Sequence, residues 1–390
     1  MIKVKKIGSA CCGCRACEEI CPLRCISMKE DIDGFFYPYV NETKCIDCHL
    51  CEKACPLNFG AFSDPSEVRA YMGIHKSEQT VFCSSSGGAF TALYERLIPE
   101  GYTVYGVAFD SDFQVKHSRA DTVKGCEKFR KSKYVLGDTN HSFSQIATQL
   151  KNNEKVMFTG LPCQCAALWS YVDALKISRE NLLTVNILCH GAGCQKIFDE
   201  YREELDKKSQ LGRLLKYQFR SKKTVKGTVY SRSADLTFEY GERYVTKDND
   251  PFLIGYYSRL FYRKSCGQCR FARQERASDI TIGDAWKIEK LYPEIDPLKG
   301  CSLILANTSK GYGIVVQLED VLQLQELSAK WALESQGVLN HPTVMHPNRD
   351  LFFKIWREKG VFTAVFLATW KRRLRIYLGG IKRKVLSIFK

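Results

Sequence analysis

The sequence has no apolar run approaching the roughly 18 residues that a membrane-spanning helix needs. Its start, MIKVKKIGSACCGC, carries positive charge with no apolar segment behind it to act as a signal peptide. These two absences predict a cytoplasmic chain. A Ser/His/Asp set and a carboxylate pair are also missing, so hydrolysis has no residues to carry it, and without a DNA-binding motif a zinc-stabilised, basic nucleic-acid binder stands only as a rival reading.

Cysteine is the opposite case, with 19 among 390 residues. A disulfide framework does not account for them, because the cytosol keeps thiols reduced and a core drawn from 45% hydrophobic residues needs no staples. Metal or redox chemistry becomes the leading account. The formal charge of +15 is uneven: the last twenty residues, KRRLRIYLGGIKRKVLSIFK, hold eight Lys or Arg and no acid. The remaining excess reads as a solvated basic surface that can also attract anionic substrates or cofactors.

Cys11, Cys14, Cys17 and Cys21 follow the spacing C-x2-C-x2-C-x3-C-P, and Cys45, Cys48, Cys51 and Cys55 repeat it 34 residues later. Three thiolates at every third position wrap one cubane, and the cysteine before proline serves the other cluster in two-cluster ferredoxins. Cys11, Cys14, Cys17 and Cys55 are therefore expected on one 4Fe-4S centre, and Cys45, Cys48, Cys51 and Cys21 on a second. Two zinc sites are the alternative, although zinc modules present paired knuckles rather than a triple run. Between the copies, ISMKEDIDGFFYPYVN reads as a hairpin around Asp33-Gly34. Cys12 and Cys25 fall outside the spacing and read as packing.

From Val68 to about residue 308, apolar strand candidates alternate with amphipathic helices. Ser84–Gly88 open a helix carrying Phe90, Leu93 and Leu97, which fits either a phosphate or flavin edge or an ordinary serine cap. KVMFTG runs into Cys163, and LLTVNILC into Cys189, each with a helical segment after it. If those strands are parallel neighbours, both cysteines stand on one sheet edge, where open α/β folds bind ligands. Cys266 and Cys269 supply a C-x2-C knuckle, and the four together are expected to hold a third 4Fe-4S centre or, by the same donors, zinc. His190 reads as a loop hydrogen-bonder, and Cys83, Cys126, Cys165, Cys194 and Cys301 as packed thiols.

The stretches SSSGGAFTAL, KSKYVLGDT, FTGLPCQCAAL, LLTVNILCHG, SCGQCRF and SDITIGDAW, in that order, resemble the coenzyme F420 hydrogenase/dehydrogenase beta-subunit family in its long form with an N-terminal ferredoxin domain. The resemblance implies an FAD-binding iron–sulfur oxidoreductase that passes electrons between clusters and a two-electron partner, in some members the deazaflavin F420. By position it implies that Ser85, Ser86, Gly87 and Gly88 approach the flavin and that Lys131, Ser132, Lys133 and Tyr134 bind it or its phosphates. A solvated basic loop is the plain alternative for the lysines. Asp279, Asp284 and Trp286 are expected beside the third cluster, as contacts or as a capped turn and a core tryptophan. Family members with ferredoxin domains associate with surface polysaccharide clusters, which leaves the substrate unidentified.

The expected fold is α+β or α/β: a bacterial-type two-cluster ferredoxin domain over residues 1–60, then a mixed α/β flavin- and cluster-binding domain over 68–310. A helical C-terminal extension with the basic tail takes 311–390. The expected activity is an iron–sulfur flavoprotein oxidoreductase, and the rival is an electron-transfer subunit serving a partner enzyme. An electron-donor or acceptor protein such as ferredoxin is the expected partner. VFTAVFLATW, ten residues before the tail, reads as a helix lying on anionic lipid at the inner membrane face, docking on a partner, or simply packed.

Overall fold

The computed structural model describes residues 3–225, 228–230 and 232–388, with side chains through residue 370. Its frame is an eight-stranded sheet. The order across it is Leu322–Leu327, Arg69–His75, Ser302–Ala306, Ile280–Asp284, Leu182–Ile187, Lys155–Gly160, Tyr102–Phe109 and Val115–Ala120. The four strands from Ile280–Asp284 to Tyr102–Phe109 run parallel, and the outer strands are antiparallel. The central strands are nearly continuous apolar runs because both faces are covered, as Val156, Met157 and Phe158 and then Leu182, Leu183 and Val185 illustrate.

Register decides what happens at the strand ends. Gly160 stands opposite Asn186, and Ile282 opposite Ile187, so three chain segments leave the sheet at the same edge. The helix Pro162–Ala174 follows the first of these strands, with Pro162 at a position whose missing N–H costs nothing. The helix Gln195–Lys208 follows the second, burying Ile197, Phe198, Tyr201 and Leu205 on one face.

Ahead of this body, Ile26–Glu30 and Phe36–Val40 form the expected hairpin. It does not stand apart. Cys14, Cys17, Ile20, Cys55, Leu57 and Phe59 share one apolar core with Phe143, Phe158, Leu168 and Trp169 of the body. At the hairpin tip, buried Asp33 meets Arg357 at 3.0 Å, Arg349 at 3.5 Å and Lys264 at 3.8 Å, tying the cysteine-rich segment to the body and to the last helix.

The stretch expected to be a helical extension begins in the helix Ser309–Val316 and then adds a strand. Leu322–Leu327 (LQLQEL) is an edge strand of the main sheet, its first four residues alternating inward leucine and exposed glutamine. Helix follows at Ala329–Ser335 and at Arg349–Ile388, the latter broken at Gly360, where φ is 76°. Within VFTAVFLATW, Val361, Ala364, Val365 and Ala368 are buried at helical spacing and pack in the core beside Phe252 and Phe261. Among the described residues, no helix is long and apolar enough to cross a membrane. The side chains of the basic tail, on which the lipid reading falls, lie outside the described residues.

Candidate functional site

The two cysteine runs fold alike. In each, the residue after the second cysteine adopts a left-handed conformation (Arg15, φ 60°; His49, φ 59°) and starts a one-turn helix, Ala16–Glu19 or Leu50–Lys53. That turn swings the third cysteine back toward the first two, and the fourth crosses over. Cys17 has Cys11 and Cys55 as its strongest sulfur neighbours. Cys21 joins Cys45, Cys48 and Cys51 around a small cavity of about 50 Å³. Cys25 is packed in the apolar core as read above, and it also lines this cavity with its sulfur 3.3 Å from that of Cys21.

At the sheet edge, Cys163 is the second residue of the helix Pro162–Ala174, and Cys189 lies just beyond the strand Leu182–Ile187. The turn Lys264–Gln268 carries Cys266, with Cys269 next in the chain. All four line one cavity of about 560 Å³. The body thus brings together cysteines that stand up to about a hundred residues apart. Cys12, read above as packing, lines that cavity too, with its sulfur in hydrogen-bonding range of Cys14 and Cys163. The turn Gly8–Ala10 packs on Lys264–Gln268 and delivers it there, a tertiary contact that local spacing does not encode.

Charge around this cavity is mainly cationic, with Asp350 also on its lining. Arg263 and Arg276 line it, 1% and 2% exposed, and the Nη1 of Arg263 and the Nε of Arg276 have no hydrogen-bond partner among the described residues. Burial pulls Arg276 down to about 10 and pushes the thiols of Cys189 to about 12 and Cys266 to about 11. Buried cations beside protonated thiols are costly for both. An anionic thiolate–metal group reverses each cost at once, since metal binding drives off the thiol protons and the product is negative. The residues fit such a group. The sulfurs also enclose a space rather than a point, and no three His, Cys, Asp or Glu among the described residues stand close enough for one ion.

The segments expected to approach a flavin meet as well. The Ser132 N–H donates to Ser85 Oγ at 2.8 Å, and the two hydroxyls are 3.1 Å apart. Gly87 is pressed between backbone segments, where a Cβ would stand 2.3 Å from Gly73 O. Gly88 takes φ 96° to open the helix Ala89–Leu97. Lys131 reaches the carbonyls of Phe82 and Arg220, and Lys133 those of Lys128, Arg130 and Lys131. Burial lowers Lys131 to about 8 and Lys133 to about 7.

Two further cations escaped the sequence reading. Lys222 Nζ donates to Val81 O and Ser86 O at 2.6 Å each, and burial, then Lys131 and Arg220, lowers it to about 7. Arg220 donates to Ser85 O and pairs with Asp284 at 2.9 Å. Both follow the strand Leu214–Phe219 in FRSKK, a cluster that looks solvated until the chain folds. A crowded set of cations around half-buried serines fits a pyrophosphate, which would relieve their mutual repulsion.

Tyr134 stacks on Tyr256 at 4.3 Å, and Tyr256 OH donates to Gly191 O, in the loop that follows Cys189. Asp284 faces the Ser85 loop through Arg220. Asp279 has a structural part, binding Thr184 N and Oγ1 at 2.8 Å and Thr308 Oγ1 at 3.0 Å. Trp286 lies near the Arg220 guanidinium, 5.9 Å from ring centre to Cζ. His190 lines the cavity, and its carbonyl accepts from Thr343 Oγ1. Cys126, Cys165, Cys194 and Cys301 are buried in the core.

Cysteine-lined sites at a parallel-sheet edge, fused to a doubled cysteine module, define an iron–sulfur electron-transfer protein of oxidoreductase type. Residues 153–330 match the family described as the C terminus of the coenzyme F420 hydrogenase/dehydrogenase beta subunit, and residues 10–59 match the 4Fe-4S dicluster domain. These two matches support a coenzyme F420 hydrogenase beta-subunit-like family with a ferredoxin-type N-terminus. No curated protein matches it. Among solved structures, the F420-reducing NiFe hydrogenase complex from Methanosarcina barkeri, in a xenon derivative, is 18% identical with a TM-score of 0.44, covering 78% of this chain and 91% of that one.

Proposed function

We propose that the protein is an iron–sulfur flavoprotein oxidoreductase, with three 4Fe-4S clusters and one FAD, that acts on a substrate not yet identified. The observation that carries this is the 560 Å³ cavity in which Cys163, Cys189, Cys266 and Cys269 meet beside two buried arginines. Those four cysteines would hold one cluster. Cys11, Cys14, Cys17 and Cys55 would hold another, and Cys45, Cys48, Cys51 and Cys21 the third. Ser85, Ser86, Gly87, Gly88, Lys131, Ser132, Lys133 and Tyr134 would seat the flavin, with Lys222 and Arg220 completing the cationic wall. Bound together, these groups supply one-electron exchange and its conversion to two-electron chemistry.

The chain's own residues set the order. Cys48 is exposed, which suits the module of residues 1–60 to meet an electron-carrying protein. The Cys11 loop abuts the cavity of the body, which runs from residue 68 through the strand at 322–327. Tyr256 links the Cys189 loop to Tyr134. The family description names a beta subunit, which supports a partner enzyme, with work in surface polysaccharide synthesis one setting for it. Exposed Phe366, Leu367 and Trp370 beside the basic tail support a peripheral contact with anionic lipid. Anaerobic purification with iron, sulfide and flavin measured together tests the reading. About twelve irons and one flavin per chain are expected, and about eight irons would remove the body cluster. Turnover restored only by a partner would assign the substrate site to that partner.

A further inference from the structure

Arg263 is the largest fully buried side chain among the described residues and touches both neighbouring cysteine sites. Its backbone belongs to the body site: its N–H donates to Ala192 O at 3.1 Å, and its carbonyl accepts from Cys266 N at 2.9 Å. Its side chain reaches the other way. Nε donates to Cys11 O at 2.6 Å and Nη2 to Phe36 O at 2.8 Å, while the guanidinium lies 4.2 Å from the centre of the Tyr37 ring. Nη1 is left without a partner among the described residues, and Arg263 lines the 560 Å³ cavity. A Cβ on Gly13 would come within 3.1 Å of that Nη1, so the glycine keeps the cation close to the Cys11–Cys14 loop. Its charge acts on the sulfurs of Cys11, Cys12 and Cys266, residues of two different sites.

A buried guanidinium held by two carbonyls and offered no carboxylate is strongly unfavourable unless a negative group faces it. Resting on the cluster assignment above, we propose that Arg263 is a shared counter-cation, one guanidinium that tunes the reduction potentials of both the Cys11-loop cluster and the body cluster. A fixed cation favours the reduced, more negative state of each, and net charge and hydrogen bonding are the levers by which a protein sets such potentials. A single charge acting on both moves them in the same direction and keeps electron exchange between them near balance. Arg263 is a positioning residue in this role, since it holds a charge in place and is no ligand.

The test uses the full chain, loaded anaerobically, with iron counts and a potentiometric EPR titration. Cys45→Ala and Cys269→Ala first assign the signals. In Arg263→Gln the iron count should hold at about twelve, while the signals of the Cys11-loop and body clusters each become at least tenfold harder to reduce at a fixed potential, about 59 mV lower. The signal of the Cys45 set should stay in place, and Arg263→Lys should restore most of the shift. Unchanged potentials, a shift in one cluster only, or equal shifts in all three would overturn the proposal. If Arg263→Gln fails to load, Arg263→Lys decides: it must load fully with both potentials near those of the parent. Only about eight irons in the parent protein would instead sink the cluster assignment, so the two failures are told apart.

Discussion

The cationic wall around Ser85–Gly88 makes a quantitative prediction through Lys222. Its fall from 10.5 to about 7 corresponds to about 5 kcal/mol against the charged form at full burial. Screening at this half-buried site reduces that to about 2 kcal/mol. The sign follows from linkage. Between pH 7 and 10.5 the unfolded chain keeps the lysine proton and the folded one does not, so the flavin-free protein gains stability as pH rises through that window. A bound pyrophosphate does the reverse, because it favours the charged lysine and takes up a proton above pH 7. FAD affinity should therefore fall as pH is raised from 7 to 9, by up to tenfold per pH unit for one proton. Lys222→Met should bind FAD at least tenfold more weakly at pH 6.5, with a shallower pH dependence. Isothermal titration of flavin-free protein with FAD, in buffers of different ionisation enthalpy, measures both affinity and proton uptake. A pH-independent affinity, equal in parent and variant, would refute the assignment of this wall to the flavin phosphates.

Other substitutions probe the remaining parts of the site. Cys266→Ala should lower iron from about twelve to about eight per chain and leave the EPR signals of the cysteine-run module in place; a full iron complement would show that this sulfur is not a ligand. Gly87→Ala places a Cβ 2.3 Å from Gly73 O and 2.6 Å from Ser302 N. It should cost about 3 kcal/mol, visible as a Tm lower by several degrees in circular dichroism, and an unshifted Tm would contradict the close approach. Asp33→Asn strips the buried countercharge from Arg349, Arg357 and Lys264, leaving Arg349 its exposed neighbour Asp350 at 3.5 Å, and should cost about 3 kcal/mol in urea denaturation; a neutral result would mean that Asp350 and solvent suffice for these cations.

What was legible in the sequence was what lies close along the chain. The doubled C-x2-C-x2-C-x3-C-P spacing fixes two loops because Arg15 and His49 need only their own neighbours to turn. Strand-then-cysteine signatures at Cys163 and Cys189 were readable for the same reason, and parallel pairing then follows from the apolar runs. The residues that were missed act across distance. Cys12 enters the body cavity because the Gly8–Ala10 turn docks on Lys264–Gln268, and nothing in CCGC announces that partner. Arg263 precedes KSCGQC like any solvated arginine. It becomes buried only because the hairpin residues Phe35 and Tyr37 close over it. The strand Leu322–Leu327 did show alternation over its first four residues, but so short a run is equally an exposed turn of helix until an edge strand is available to pair with it.

These two ways of building a site have different consequences for assembly. On the proposed assignment, the cysteine runs draw three of four ligands for each cluster from seven consecutive residues, so a loop can begin to capture iron before the rest of the chain is in place. The body site draws on Cys163, Cys189, Cys266 and Cys269, which converge only after the parallel strands have paired and the Lys264–Gln268 turn has docked. Loop closure over such distances must be met before any ligand is gained. The body therefore has to be nearly folded while it still carries two buried arginines with unpartnered nitrogens, and its stability without iron has to come from its apolar cores, one of which it shares with the cysteine module. That shared core is the physical reason why the module is packed into the body instead of tethered to it: the same contacts that keep the body folded before loading hold the Cys11 loop against the cavity afterwards.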